Sequence, residues 1–599
     1  MPRRATTLLP LLFLFVMPPF ASSADAPPKV QIMPESAVRA GMRGVAYTVF
    51  EGTKPEPVEV EILGILKDMA GPKSDVILAR LHGPKVEYTG VVAGMSGSPV
   101  YIDGKLVGAI AYRIGEFSKE PIAGITPAAA MLEINDIDQA TSKDYPGTGT
   151  TTGVASRTSA PGDTPNIDPA VAGYTNLLKP IETPLVFSGF SPETLRWFGP
   201  SFASAGVVPV MGAGSVSDAK QPEPLEPGSA VSAVLVRGDM NIAGTCTVTY
   251  LDDTHLLACG HPLLQSGAVD MPMTKATVLA TLPSSYSSFK IVNTTEPVGA
   301  FVQDRRTGIL GRFDRQPEMI PVTLSLNSGG HTKQYRFEVL NNPKITPTAV
   351  MATVFNALQG TTEYGEDTTY KLNGSIAVQG FPKLAVQNMY APADGSMPTA
   401  YGIAVSIGER FTRIYENPYE TPKIEGVELS FDMVPERRSA RLENAHTDMT
   451  EARPGDTITI ETLLRPYRGE SLVRQIPLTI PPSTPKGPLR ILVSDGETLD
   501  RLRRVPAAQS RRLPLGSTIA LLNREHSNMQ IYVSLLEPNP QAMVSNNVMP
   551  TLPLSVINVM EGMRGTQDMV VVGESATSEA STSVDYVVSG AQIITLNIK

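Results

Sequence analysis

The chain has 599 residues, 42% of them hydrophobic, and this length predicts roughly three to five domains rather than one core. The formal net charge of −9 argues against nucleic acid as a partner, because nucleic-acid-binding surfaces are basic. The 53 prolines and 50 glycines, together with recurring short runs of Val, Ile and Thr, indicate a protein of many strands and turns.

Residues 1–24 are predicted to be a signal peptide. Arg3 and Arg4 give a positive start, residues 8–16 are apolar, and residues 22–24 supply the small side chains that signal peptidase requires. The apolar stretch is too short to span a bilayer comfortably. We therefore expect cleavage near Asp25 and export to the periplasm or the extracellular space, with no transmembrane segment in the mature chain. An uncleaved anchor is the alternative.

The next two segments are predicted to be a β-rich half-domain and a linker. Residues 25–139 contain short strands separated by turn signals and a short closing helix at 127–134. Residues 140–171 are rich in Gly, Ser, Thr and Pro and have almost no apolar periodicity, which is typical of a linker or long loop.

Three further segments complete the predicted organisation. Residues 172–325 form a second compact half-domain, with one helix in SPETLRWFG and then strands. Residues 326–490 show a strand-turn-strand pattern that predicts one or two β-sandwiches. Residues 491–599 are expected to form a mixed α/β domain, in which the polar stretch at 573–583 is a loop.

The two cysteines, Cys246 and Cys259, lie in GTCTVTYLDDTHLLACGHPLL, which predicts a hairpin. If Asp252 and Asp253 form the loop, Leu251 faces Thr254 and the two cysteines face each other. Opposed residues have Cβ atoms about 4.5–5.5 Å apart, which is near disulfide reach. Export makes a disulfide possible, and two buried thiols are the alternative.

A turn rich in small residues, GMSGSP at 94–99, lies between apolar strand segments. It permits two interpretations: a tight turn and nothing more, or a turn that presents Ser96 beside aimed backbone N–H groups. A serine is a weak nucleophile unless a base, most often His, takes its proton. Of the six histidines, only His261 follows an apolar strand and a glycine, in LLACGHPLL, where its ring position can be fixed. A core histidine bonded to backbone is the alternative.

The sequence GMSGSPVYIDGKLVGAIAY resembles the nucleophile region of trypsin-like peptidases. More closely, GMSGSP together with ACGHP and TGILG (307–311) resembles the SpoIVB-type serine peptidases, over about 40–115 and 230–312. The resemblance implies a trypsin-like double β-barrel, with Ser96 as nucleophile and His261 as base. The N–H groups of Gly94 and Ser96 would then bind the oxyanion.

Two departures from that family are visible. The family places its His segment before its Ser segment, whereas Ser96 precedes His261 here, so we expect the two half-barrels in exchanged order. His82 stands about where the family has an Asp, which leaves Asp75, Asp304 or no acid as the third member. Met95 replaces the Asp of the usual trypsin turn, so activation by a freed N-terminus should be absent.

These observations predict an exported serine endopeptidase that acts on protein or peptide substrates, and the resemblance to the SpoIVB-type family implies narrow, regulatory specificity. No cofactor or metal is expected, because the chain has no His-Glu-x-x-His or Cys-x-x-Cys motif. The alternative is a catalytically inactive, peptidase-like binding or scaffold protein of the cell envelope. The absence of a clear acid and the long β-rich C-terminal half favour that alternative.

Overall fold

A computed structural model describes most of the chain beyond the N-terminus. The described residues are 30–69, 71, 74–115, 118–135, 178–203, 207–212, 220–284, 288–360, 367–395, 397–503, 513–537, 541–544, 547–549, 552–561, 569–572 and 575–599. The predicted signal peptide and the predicted linker at 140–171 lie outside these residues. Within them, no helix is both long and apolar enough to cross a membrane.

The first barrel is a closed ring of six antiparallel strands, in the order β1-β2-β3-β6-β5-β4, with β4 paired to β1. A short strand, β7, extends the sheet from β5. A 3-10 turn at Glu35–Ala37 precedes the ring. The elements are β1 (Arg43–Thr48), β2 (Glu56–Leu66), β3 (Val76–His82), α1 (Pro84–Thr89), β4 (Pro99–Ile102), β5 (Lys105–Ile114), β6 (Ile122–Pro127), α2 (Ala128–Leu132) and β7 (Leu178–Pro180).

Alternating side chains close the first barrel around its own core. In β2, Val58, Val60 and Ile62 are buried while the residues between them face outward or are half-buried. In β3, Ala79 and Leu81 continue the same inward face. Each such aliphatic side chain contributes about 1.5–3 kcal/mol on full burial, so the period-2 pattern fixes the strand register.

A second ring of six antiparallel strands follows, in the order β10-β13-β14-β15-β12-β11, with β11 paired back to β10. Strands β8 and β9 extend the sheet from β11, and helix α3 connects them. The elements are β8 (Thr183–Ser188), α3 (Pro192–Ala203), β9 (Val207–Met211), β10 (Ala230–Gly238), β11 (Asn241–Leu251), β12 (His255–Ala258), β13 (Gly267–Leu282), β14 (Phe289–Arg305) and β15 (Gly308–Arg312). The mainly β fold class is thereby confirmed, whereas the exchanged order of the halves stays a prediction.

The hairpin of β11 and β12 forms, but with a different register from the predicted one. Leu251 pairs with Leu256 and not with Thr254, so that part of the prediction was wrong. The reason is local, because Asp252 Oδ1 accepts the backbone N–H groups of Thr254 and His255 at 2.9 and 2.8 Å. The turn is therefore longer than two residues.

The sheet of the second barrel continues without a break into the next segment, because β17 pairs with β10. The predicted boundary at 325–326 falls inside β16. Two helices, α4 and α5, pack against this extension, and the strand-turn-strand interpretation of 326–490 missed both. The elements are β16 (Met319–Ser328), β17 (His331–Leu340), α4 (Thr346–Gln359), β18 (Thr369–Val378), β19 (Leu384–Tyr390), α5 (Thr399–Tyr415) and β20 (Ile424–Val434).

The C-terminal part contains two sheets that share one apolar core, in the orders β24-β23-β21-β31 and β22-β32-β25-β26-β30. The remaining strands form a small sheet, β28-β27-β29. The elements are β21 (Ser439–His446), β22 (Glu451–Ala452), β23 (Thr457–Pro466), β24 (Leu472–Thr479), β25 (Gly487–Ser494), α6 (Gly496–Arg503), α7 (Leu515–Leu522), β26 (Gln530–Glu537), β27 (Gln541–Val544), β28 (Asn547–Met549), α8 (Leu554–Glu561), β29 (Met569–Val572), β30 (Ser575–Ser583), β31 (Val587–Ser589) and β32 (Ala591–Ile598). The loop expected at 573–583 is wrong for most of its length, because β30 is a strand paired with β26.

Candidate active site

Ser96 lies in the turn that leads into strand β4. Gly94 and Gly97 have φ angles of +97° and +96°, which residues with a side chain rarely adopt, and this explains the glycines on either side of Ser96. The N–H and Oγ of Ser98 both donate to the carbonyl oxygen of Met95, at 3.0 and 2.6 Å, and close the turn. Ser96 is fully buried rather than exposed, and its Oγ has no hydrogen-bond partner among the described residues.

The turn is bound to the second barrel through strand β11. Thr247 donates its N–H to the carbonyl oxygen of Ser96 at 2.8 Å, and Thr249 Oγ1 donates to the carbonyl oxygen of Gly97 at 2.7 Å. A methyl group on Gly97 would lie 2.0 Å from the Thr247 oxygen and 2.5 Å from the Cys259 nitrogen. Only glycine therefore allows the two barrels to approach this closely.

Two backbone donors of the turn remain available. Within the part of the chain that the structure describes, neither the N–H of Gly94 nor that of Ser96 has an acceptor, although the N–H of Gly97 donates to Ile110 at 2.8 Å. These two donors are the ones that the sequence nominated for the oxyanion. Unpaired donors fixed in a buried turn are the arrangement that stabilises a developing negative charge.

His261 lies in a second strained turn, after strand β12. Cys259 and Gly260 have φ angles of +69° and +73°, and Thr126 Oγ1 of the first barrel donates to the carbonyl oxygen of Gly260 at 2.6 Å. His261 is 3% exposed as a residue, and its Nδ1 donates to the carbonyl oxygen of Pro262 at 2.8 Å. That bond leaves Nε2 as the unprotonated nitrogen of a neutral ring, which is the tautomer a general base needs. Burial lowers the pKa of His261, and the backbone carbonyl oxygens of Pro262 and Ile181 oppose the shift only in part.

The structure brings both predicted catalytic residues to the interface between the barrels but does not join them. Ser96 Oγ and His261 Nε2 are both buried, and neither has a hydrogen-bond partner among the described residues. A buried polar atom without a partner costs free energy, and such atoms concentrate at functional sites. A bond between these two would satisfy both.

Neither candidate acid contacts the imidazole. Asp304 is fully buried, and its carboxylate accepts the N–H groups of Leu263, Leu264 and Ser266 at 2.8, 2.8 and 3.2 Å. It therefore fixes the loop after His261 rather than the ring. Burial raises the pKa of Asp304, against the effect of these hydrogen bonds.

The described contacts of the other candidate acid, Asp75, are to groups of the first barrel. Asp75 binds Lys67 Nζ and accepts the N–H of Asp68 at 2.8 Å, so it belongs to a surface cluster. His82, at the place of the family's Asp, pairs with Glu61 at 3.0 Å. Among the described residues, His261 Nδ1 is bonded to the carbonyl oxygen of Pro262 and not to a carboxylate.

The disulfide between Cys246 and Cys259 is present, with a Cα–Cα distance of 5.2 Å. Both residues are buried, and Cys259 lies two residues before His261. The bond therefore anchors the strained turn that carries the candidate base to strand β11, which also binds the Ser96 turn.

One residue of the site was not anticipated. Lys290 of strand β14 is fully buried, and its Nζ donates to Thr48 Oγ1 at 2.9 Å. The available signal was the alternation along β14, which places Lys290 on the same inward face as Val292 and Thr294. A lysine at an inward-facing position of a strand places a charge in the interior unless its amine is neutral.

A cavity of about 250 Å³ lies beside helix α1, lined by residues that include Tyr88, Arg113 and Ser288. Neither Ser96 nor His261 lines it, so both are closed off from this space. Among the described residues there is no group of three or more His, Cys, Asp or Glu side chains that could hold a metal ion.

Comparison with known proteins adds one finding on the Ser-bearing barrel. No curated protein and no solved structure matches the chain. One family model matches a segment of the chain. That segment ends before His261, so of the two barrels the match covers the first only. Residues 21–125, which carry Ser96, match the model of the family SpoIVB peptidase S55, and the resemblance of this segment to that serine peptidase family is thereby confirmed.

Proposed function

We propose that the protein is an exported serine endopeptidase that cleaves protein substrates through an acyl-enzyme on Ser96, with narrow, regulatory specificity. The observation that carries the proposal is a pair of N–H groups, of Gly94 and Ser96, that have no acceptor among the described residues. They lie on a glycine-built turn that is closely packed against the turn of His261. The family match over residues 21–125 supports the same chemistry.

The proposed reaction has two halves, acylation and then deacylation of Ser96, and each group acts once in each half. Ser96 Oγ attacks the peptide carbonyl carbon while His261 Nε2 takes the hydroxyl proton. The carbonyl oxygen becomes negative and accepts the N–H groups of Gly94 and Ser96. The imidazolium gives its proton to the leaving amine, and water then hydrolyses the ester by the reverse sequence of proton transfers.

The closed arrangement sets a requirement on this mechanism. Because Ser96 and His261 are both buried, a substrate can reach them only after the interface between the barrels opens. Control of opening would suit a regulatory peptidase that acts on few substrates.

The test is labelling of the mature full-length chain by a fluorophosphonate, with the modified residue located by mass spectrometry. We expect label on Ser96, loss of label in Ser96→Ala, and a large decrease in rate in His261→Gln. The matched control is Ser98→Ala, since Ser98 is a buried serine of the same turn whose Oγ only closes that turn. Label on Ser98 or on no serine would reject the proposal.

The second candidate is a non-catalytic scaffold that retains the barrels. The specific observation in its favour is that no carboxylate contacts the imidazole among the described residues, while both Ser96 and His261 are buried. A folded, disulfide-bonded chain that never takes up the probe would support the scaffold.

A further inference from the structure

Lys290 connects the second barrel to the first beside the turn that carries Ser96. Its backbone lies in strand β14, where its N–H donates to the carbonyl oxygen of Ala93 at 3.2 Å. Its side chain ends at Thr48 of strand β1, with 2.9 Å between Nζ and Oγ1. Ser288 accepts the N–H of Ala93 at 2.8 Å, so the start of β14 is bound to the segment that leads into the turn.

The aliphatic part of Lys290 packs against the backbone of Gly94. A methyl group on Gly94 would lie 3.2 Å from Lys290 Cδ and 3.5 Å from Cγ, so the side chain fills the space on that face of the glycine. Gly94 supplies one of the two proposed oxyanion donors. A change in the path of the Lys290 side chain therefore moves a group that would touch the reacting carbonyl.

We propose that Lys290 is a positioning residue of the site, and this rests on the proposed peptidase function. In its neutral form the Lys290 side chain supports the turn that presents the N–H groups of Gly94 and Ser96, and protonation of the amine displaces that turn.

The surroundings of the amine favour the neutral form. Burial lowers the pKa of Lys290 to about 7, and no charged neighbour contributes to the shift. An ammonium group offers three donors, and Thr48 Oγ1 is the one acceptor that Nζ has among the described residues. A charge left without partners in the interior is costly, so protonation favours movement of the side chain toward water.

The sign of the stability effect follows from this shift. The folded state binds the proton less tightly than the unfolded chain, whose lysine has the ordinary value of 10.5. Folding stability should therefore rise with pH between about 7 and 10.5, and Lys290→Met should remove this dependence. Lys290→Met keeps an unbranched apolar side chain that reaches as far as Cε, with sulfur in place of Cδ, and removes the amine.

The experiment is the pH profile of the fluorophosphonate labelling rate in the mature full-length chain. In the wild type we expect the rate to fall on acidification in a limb centred near 7, the pKa of Lys290. Lys290→Met should lose that limb and keep a lower one, because burial places the pKa of His261 below its ordinary value of 6.5. A purely structural role would change the rate or the stability but not the position of the limb.

The matched control is Lys275→Met on strand β13 of the same barrel. Lys275 pairs with Glu296 at 2.8 Å and donates to the carbonyl oxygen of Gln221 at 2.9 Å, so its charge is satisfied, and the profile should remain that of the wild type. Thr48→Val removes the hydrogen-bond partner of the amine and should shift the same limb of the pH profile. It replaces Lys290→Met as the test if that variant does not fold. If the pH profiles of Lys290→Met and Thr48→Val both equal that of the wild type, the Lys290 proposal alone is overturned. If the wild type takes up no label, the proposed peptidase function is overturned, and the Lys290 proposal with it.

Discussion

Thr126 Oγ1 donates a hydrogen bond of 2.6 Å to the carbonyl oxygen of Gly260. Thr126 lies near the end of strand β6 in the first barrel, and Gly260 immediately precedes His261 in the second. The bond is buried and joins two residues that are 134 positions apart in the sequence. It therefore fixes the position of the candidate base relative to the barrel that carries Ser96.

Thr126→Val should slow the labelling of Ser96 by more than its loss of folding stability alone would explain. Valine keeps the shape of threonine but leaves the Gly260 oxygen unpaired, at a cost of about 1–3 kcal/mol. The control is Thr462→Val, since Thr462 is also buried and donates to the carbonyl oxygen of Arg474 at 3.1 Å in the C-terminal sheets. Equal labelling rates in the two variants would show that the Thr126 bond does not position His261.

Loss of the disulfide should destabilise the second barrel and slow labelling. Cys246 and Cys259 are separated by 13 positions, and a loop of this length corresponds to about 3 kcal/mol in the loop-entropy description. The double variant Cys246→Ala/Cys259→Ala measures the effect by denaturant unfolding. Mass spectrometry of protein from an oxidising compartment should find no free thiol, and two free thiols there would reject the pairing.

The two barrels should restore the site when they are made as separate chains. The Ser96 turn is bound by Thr247 and Thr249, which belong to the second barrel, so the contacts across the interface do not depend on the peptide between residues 140 and 171. Co-expressed 25–139 and 172–599 should associate and take up the fluorophosphonate. Strong labelling of 25–139 alone would contradict the role of His261.

The stability of the C-terminal sheets should decrease at alkaline pH because of His526. Burial alone would lower the pKa of this ring, but its hydrogen bonds to Asp500 and Glu579 outweigh burial and raise the pKa to about 9. The folded state binds the proton more tightly, so the stabilisation is complete below the ordinary value of 6.5 and is lost as pH rises through about 9.

Hydrogen exchange of strand β26, where Tyr532 packs edge-to-face on the His526 ring, measures this loss as a function of pH. His526→Gln should remove the pH dependence of the local opening free energy. The control is His446→Gln, because His446 is exposed and lies 3.9 Å from its nearest carboxylate. A wild-type slope that persists in His526→Gln would assign the pH dependence to another group.

The sequence by itself determined the features that depend on neighbouring residues. The small residues of GMSGSP predicted a tight turn, and the turn is present, with positive φ angles at Gly94 and Gly97. The alternating strands predicted a mainly β chain, because a period of two fixes which face is buried. Helix α4 was also within reach, since Pro347 stands near its start and Gly360 follows its end, yet the segment was interpreted as strands.

Only the tertiary structure decided what lies opposite each of these residues. Strand β30 is polar enough to suggest a loop, and it is a strand because β26 offers it a hydrogen-bonding edge. Asp304 was a candidate for the imidazole, and it binds the loop of Leu263 and Leu264 because their N–H groups are the donors nearest to a buried carboxylate. The pKa of Lys290 is lowered to about 7, and its side chain lies against Gly94, only because two barrels meet there, since the environment that buries the amine comes from residues distant in the chain.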